Sequence, residues 1–74
     1  MSVLGGISGR EAVKKFQSLG YHVVRQKGSH VRLAHANDLW RRPLTIPLHR
    51  ELKKGLARQL MQDAGVSIEE FIGL

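Results

Sequence analysis

The chain has no cysteine. Disulfides and thiolate metal sites are therefore excluded, and nothing calls for an oxidising compartment. Cytoplasm is the simplest expectation. Acidic residues are scarce: six Asp and Glu stand against twelve Lys and Arg, a formal charge of +6. In 74 residues that imbalance favours an anionic partner, nucleic acid or an acidic protein. No apolar run approaches the roughly 20 residues that a membrane helix needs. The start, Met1-Ser2-Val3-Leu4-Gly5-Gly6, lacks the charge and apolar stretch of a secretion signal. Residues 1–6 read as a frayed leader. Aromatics are few, with Trp40 joined only by Phe16, Tyr21 and Phe71.

What remains suits one small domain, residues 1–74, with a small core. No repeat, linker or low-complexity tract divides it. Ser8-Gly9-Arg10-Glu11 has the form of a capping box. Ala12, Val13, Phe16 and Leu19 then recur at helical spacing, which predicts a helix over Gly9–Leu19. Tyr21–Gln26 is β-branched and aromatic and reads as a strand. Lys27-Gly28-Ser29 reads as a turn and His30–Ala34 as a second strand. Pro43–Pro47 is a short third strand bounded by prolines. Leu52, Leu56, Leu60 and Ala64 form an i, i+4 row before Gly65, so a second helix is expected over Lys53–Ala64. Ser67-Ile68-Glu69-Glu70 is another capping box and starts a short last helix.

Short turns between the strands favour an antiparallel meander. Each main helix has one apolar face, to be buried on the same side of the sheet. The expected fold is α+β: α-β-β-β-α with a three-stranded antiparallel sheet, helices on one face, and a short C-terminal helix. That is the general shape of a double-stranded-RNA-binding domain, although shape alone does not fix function.

The most informative segment is Gly28-Ser29-His30, flanked by Arg25, Lys27 and Arg32. Imidazole is suited to moving a proton near neutral pH. Guanidinium and ammonium groups are suited to holding a phosphodiester. In the second strand, Val31 and Leu33 alternate with His30 and Arg32. If the first pair packs on the helices, the second pair faces out, presented to a ligand. Gly28 permits a positive φ and close backbone approach. Ser29 either makes the turn or donates to phosphate. The competing reading of His30 is a surface residue at a strand start.

Other residues carry weaker signals. His49 follows the third strand and suits a second acid or base, a phosphate contact, or a hydrogen bond that fixes the connection. Lys53 and Lys54, with Arg50 and Arg58, gather at the start of the second helix. They suit salt-dependent, sequence-independent attraction of RNA. Trp40 suits base stacking, cover of the sheet edge, or contact with a partner. His22 and His35 read as surface residues. The histidine spacings match no compact ligand pattern, so no metal is expected.

Order and spacing also carry a resemblance. The marks are Leu19-Gly20-Tyr21, Gln26-Lys27-Gly28-Ser29-His30, Thr45-Ile46-Pro47-Leu48-His49, and Leu52-Lys53-Lys54-Gly55 leading to Arg58 and Ala64-Gly65-Val66-Ser67. Over Ser8 to Phe71 the chain resembles the HicA family of bacterial toxins. Leu56 departs from that pattern, which often has threonine there. The resemblance implies a small ribonuclease, an mRNA interferase, needing no cofactor. It implies that His30 is catalytic and that a HicB-like antitoxin holds the toxin inactive in a hetero-oligomer. A non-catalytic RNA-binding module using the same basic face is the alternative.

Overall fold

A computed structural model describes residues 6–74. The expected fraying of the leader thus falls, for residues 1–5, outside the described residues. At Gly6 the backbone amide donates to Glu51 Oε1 at 2.9 Å.

The first helix, α1 (Gly9–Ser18), starts where the capping box places it. The Glu11 amide donates to Ser8 Oγ at 3.1 Å, and the Ser8 amide donates to Glu11 Oε1 at 3.3 Å. Two otherwise orphaned amides are thereby satisfied. Strands β1 (Tyr21–Lys27), β2 (His30–His35) and β3 (Leu44–Pro47) follow, then α2 (Lys54–Ala64) and α3 (Ile68–Ile72). The sheet is an antiparallel meander in the order β1-β2-β3. The architecture is the expected α+β arrangement of helix, three antiparallel strands and two helices.

Boundaries differ slightly from the sequence expectation. Lys27 is the last residue of β1 and not part of the turn, while Pro43 precedes β3. Lys53 is the N-cap of α2, so the helix proper starts at Lys54. Its side chain makes no capping bond, so packing of the apolar face, not local capping, fixes this start. At the other end Gly65 caps α2 in the left-handed conformation, φ +72°. The Ser67–Glu70 capping box starts α3 as expected.

One core lies between the sheet and the helices. Phe16, Leu33, Leu44 and Ile46 are its largest fully buried side chains. Phe16 meets the Tyr21 ring edge-on at 5.8 Å between centroids and the Phe71 ring at 5.2 Å. Such contacts between rings add to the area they bury. Lys15 reaches across to α3 and donates to the carbonyls of Ile72 and Leu74.

The sheet has one irregularity that matters for the site. Tyr21 pairs with His35 and Val23 with Leu33, but Arg25 pairs with Arg32 and Lys27 with His30. Val24 is the extra residue of a bulge. Unbroken alternation from buried Tyr21 would send Arg25 and Lys27 toward the helices. The bulge reverses the strand's faces and sends both cations to the open side.

Candidate active site

In β2, Val31 and Leu33 are buried and His30 and Arg32 are exposed. The pleat therefore turns the imidazole away from the core, as the alternation requires. Lys27 and His30 close the β1–β2 hairpin through only two residues, Gly28 and Ser29. Gly28 has φ +60°, and no non-glycine residue among those described has positive φ. Glycine at the first loop position is the requirement of a type II′ turn. No atom lies within 4 Å of where a Gly28 Cβ would sit. The constraint there is conformational and not steric.

Two rows of side chains cross the open face. One row is Lys27 and His30, with buried Pro47 as the β3 partner of His30; the other is Arg25, Arg32 and Thr45. Directly opposed Cβ atoms in such rows lie about 5 Å apart. Arg25, Lys27, Gly28, His30, Arg32 and Thr45 line an open pocket of about 410 Å3. Arg32 Nη1 donates to Thr45 Oγ1 at 2.8 Å, which fixes the guanidinium on the sheet surface. Among the described residues the one ion pair, Arg41 with Asp38 at 3.1 Å, lies beyond the far end of β2. The pocket cations therefore have no carboxylate partner. Arg25 directly opposite Arg32 is an unfavourable like-charge pair that a bound anion would relieve.

The other residues singled out from sequence lie outside this lining. Ser29 is exposed, and its carbonyl accepts the Leu48 amide at 2.7 Å, tying the turn to the segment after β3. Next in that segment, His49 has an exposed side chain, while its carbonyl accepts the Gly9 amide at 2.9 Å. The backbone of His49, not its ring, makes that connection. Lys53 and Lys54 are exposed at the start of α2, within six residues of the Ser29–Leu48 hydrogen bond. Trp40 lies in the loop after the opposite end of β2, and the length of that strand, about 3.3 Å per residue, separates it from His30. Its ring packs over Gly65, with the Arg41 guanidinium 4.2 Å from the ring centre.

His35 is more than the surface residue its position suggests. Its Nε2 lies 2.9 Å from the Leu19 carbonyl, and its Nδ1 accepts from the Asn37 and Asp38 amides. Those partners select the tautomer protonated on Nε2. The ring locks the end of α1 to the end of β2. His22, by contrast, is exposed on β1.

Thr45 is the pocket residue that sequence reasoning missed. The signal was present, since Thr45 alternates with buried Leu44 and Ile46 and so shares the outward face with Arg32. No described histidine and carboxylate groups gather in threes as a metal would require. No described helix is long and apolar enough to cross a membrane.

An exposed imidazole among unpaired cations on the open face of an α+β sheet suits phosphodiester chemistry. No curated protein matches the chain. A family model described as the HicA toxin of bacterial toxin-antitoxin systems matches residues 9–66, from the first residue of α1 to just past the cap of α2. The match spans the whole sheet and every residue of the pocket. The chain belongs to the HicA family of toxins, which act in bacterial toxin–antitoxin systems.

Proposed function

We propose that this toxin is an endoribonuclease acting on mRNA in the cytoplasm and that His30 is its catalytic residue. The observation that carries the reading is the pocket itself. One exposed imidazole shares it with Arg25, Lys27 and Arg32, and no carboxylate lines it. Arg25 and Arg32 are positioned to hold the phosphate, with Lys27 across the hairpin from His30. Gly28 and Ser29 set the turn that brings Lys27 and His30 together. Lys53 and Lys54 add salt-dependent attraction for the RNA beyond the pocket.

RNA supplies its own nucleophile. His30 takes the proton of a 2′-hydroxyl as that oxygen attacks phosphorus. The P–O2′ bond forms and the P–O5′ bond breaks. The 5′ oxygen leaves and takes a proton from water, and protonated His30 returns its own to the resulting hydroxide. The products are a 2′,3′-cyclic phosphate and a 5′-hydroxyl, and the step consumes neither metal nor cofactor. A positioned base of this kind contributes about 100- to 10,000-fold. The guanidinium groups stabilise the extra negative charge of the phosphorane.

Inhibition follows from the same geometry. A HicB-like antitoxin that covers His30 blocks the substrate, and an acidic surface suits this pocket by charge. Incubation of the free toxin with unstructured RNA in EDTA tests the chemistry. Cleavage is expected to persist, leaving cyclic phosphate ends, and to vanish at a nucleotide whose 2′-hydroxyl is replaced by hydrogen. Retention of RNA without cleavage would identify a non-catalytic binding module instead.

A further inference from the structure

A second hollow lies on the helix-facing side of the same hairpin. It runs between α1 and β1 and has a volume of about 290 Å3. Val13, Val23, Val31 and Leu48 line it, together with Arg10 and Lys14. The helix contributes Arg10, Val13 and Lys14, spaced i, i+3, i+4 on one flank of α1. On the strand side, Val23 precedes the bulge and so faces the helices. Even so it is 42% exposed, because α1 leaves this margin of the sheet uncovered. No carboxylate lines the groove. Neither Arg10 nor Lys14 takes part in the one ion pair among the described residues.

The two hollows lie back to back. Gln26 and Val31 pair across the strands and line the groove. The next pair, Lys27 and His30, lines the pocket on the other face. Only the free edge of β1 separates them. That edge is itself poorly suited to pairing with another strand, since it carries a bulge and the charged Arg25 and Lys27. A partner reaching around it would dock by side chains.

We propose that the antitoxin seats an acidic amphipathic segment in the α1–β1 groove, on the face opposite His30. Its apolar side chains meet Val13, Val23, Val31 and Leu48, and its carboxylates meet Arg10 and Lys14. The proposal rests on the toxin–antitoxin pairing and is independent of the chemistry assigned to His30. Charge complementarity selects this occupant. The floor has no aromatic ring on which a base would stack. A second copy of the chain would bring a like-charged rim and the same +6 charge.

The test uses the toxin and the antitoxin encoded with it. Antitoxin affinity is measured for wild type, for the double variant Arg10→Glu/Lys14→Glu, and for Val23→Asp. RNA cleavage and RNA affinity of each free toxin are measured in parallel. Both variants are expected to bind the antitoxin at least about tenfold more weakly, with cleavage unchanged. Wild-type antitoxin affinity in both would overturn the proposal. A loss of RNA affinity in the double variant would make the groove an RNA surface. Self-association abolished by Val23→Asp would make it a contact between copies. Either outcome refutes the assignment. If Val23→Asp fails to fold, the double variant, altered only at exposed positions, decides alone. Cleavage by His30→Ala, run beside them, reports separately on the ribonuclease reading.

Discussion

Thr45 and His35 show how single side chains set up this site. Thr45 contacts the Arg32 guanidinium through one hydrogen bond and makes it a fixed rather than a roaming charge. Thr45→Val keeps the shape and β preference and deletes the acceptor. The expected result is an unchanged fold and a fall of about fivefold in cleavage, the equivalent of one hydrogen bond worth roughly 1 kcal/mol. Single-turnover rates measure it, and a wild-type rate would remove Thr45 from the site. His35 teaches the opposite lesson. Its ring is spent on backbone partners at the far end of β2. Sequence offers four histidines, and only the placement of each on the pleat separates an exposed ring from an architectural one.

At the scale of elements, the β1 bulge decides which face carries the charge. Deleting Val24 removes the extra residue, so inward Val23 is followed directly by outward Arg25, and the pairs Arg25–Arg32 and Lys27–His30 are kept. The expected result is retained cleavage and an unchanged salt dependence of RNA binding, whereas Arg25→Gln/Lys27→Gln is expected to lose cleavage and to lower the log–log slope by roughly 1.4, two contacts at about 0.7 each. Val24→Ala, which keeps the residue count, is expected to retain both. Titration of RNA affinity against salt separates the double variant from the other two, and a wild-type slope in it would show that Arg25 and Lys27 do not hold the RNA. This feature was not legible in the sequence, because Val24 has no residue signature of a bulge: it is neither glycine nor proline. The elements around it were legible. Both capping boxes, the 3.6-residue rows and the Gly65 stop mark helix positions through local chemistry. The outward face of His30 and Arg32 followed from Val31 and Leu33. Thr45 could have been read in the same way from Leu44 and Ile46. The pairing partners of Arg25 could not, since register across a hairpin depends on tertiary packing.

The whole molecule links stability to pH through two groups of opposite sign. Burial pushes the Tyr21 phenol above its ordinary pKa, with smaller opposing effects from Arg41 and Asp63. Its hydroxyl donates to the Arg42 carbonyl at 2.8 Å. Stability from this group is complete below pH about 10 and is lost as pH rises through the higher folded value. Hydrogen bonds from the Ser67 amide and hydroxyl region hold Glu70 below the usual carboxylate range. Its contribution is present above that range and is lost as pH falls through the folded value. Denaturant titrations across pH are expected to show both limbs, and Tyr21→Phe is expected to flatten only the alkaline one. An unaltered alkaline limb in that variant would assign it elsewhere.

In the proposed ribonuclease reading, one imidazole, turned out from the sheet among unpaired cations, moves the proton while its neighbours hold the RNA. The direct measurement is the cleavage rate and the RNA affinity of His30→Ala, taken together on folded protein. The rate is expected to be at least about 100-fold lower with affinity nearly unchanged. Cleavage at the wild-type rate, or a loss of rate matched by an equal loss of affinity, would contradict it.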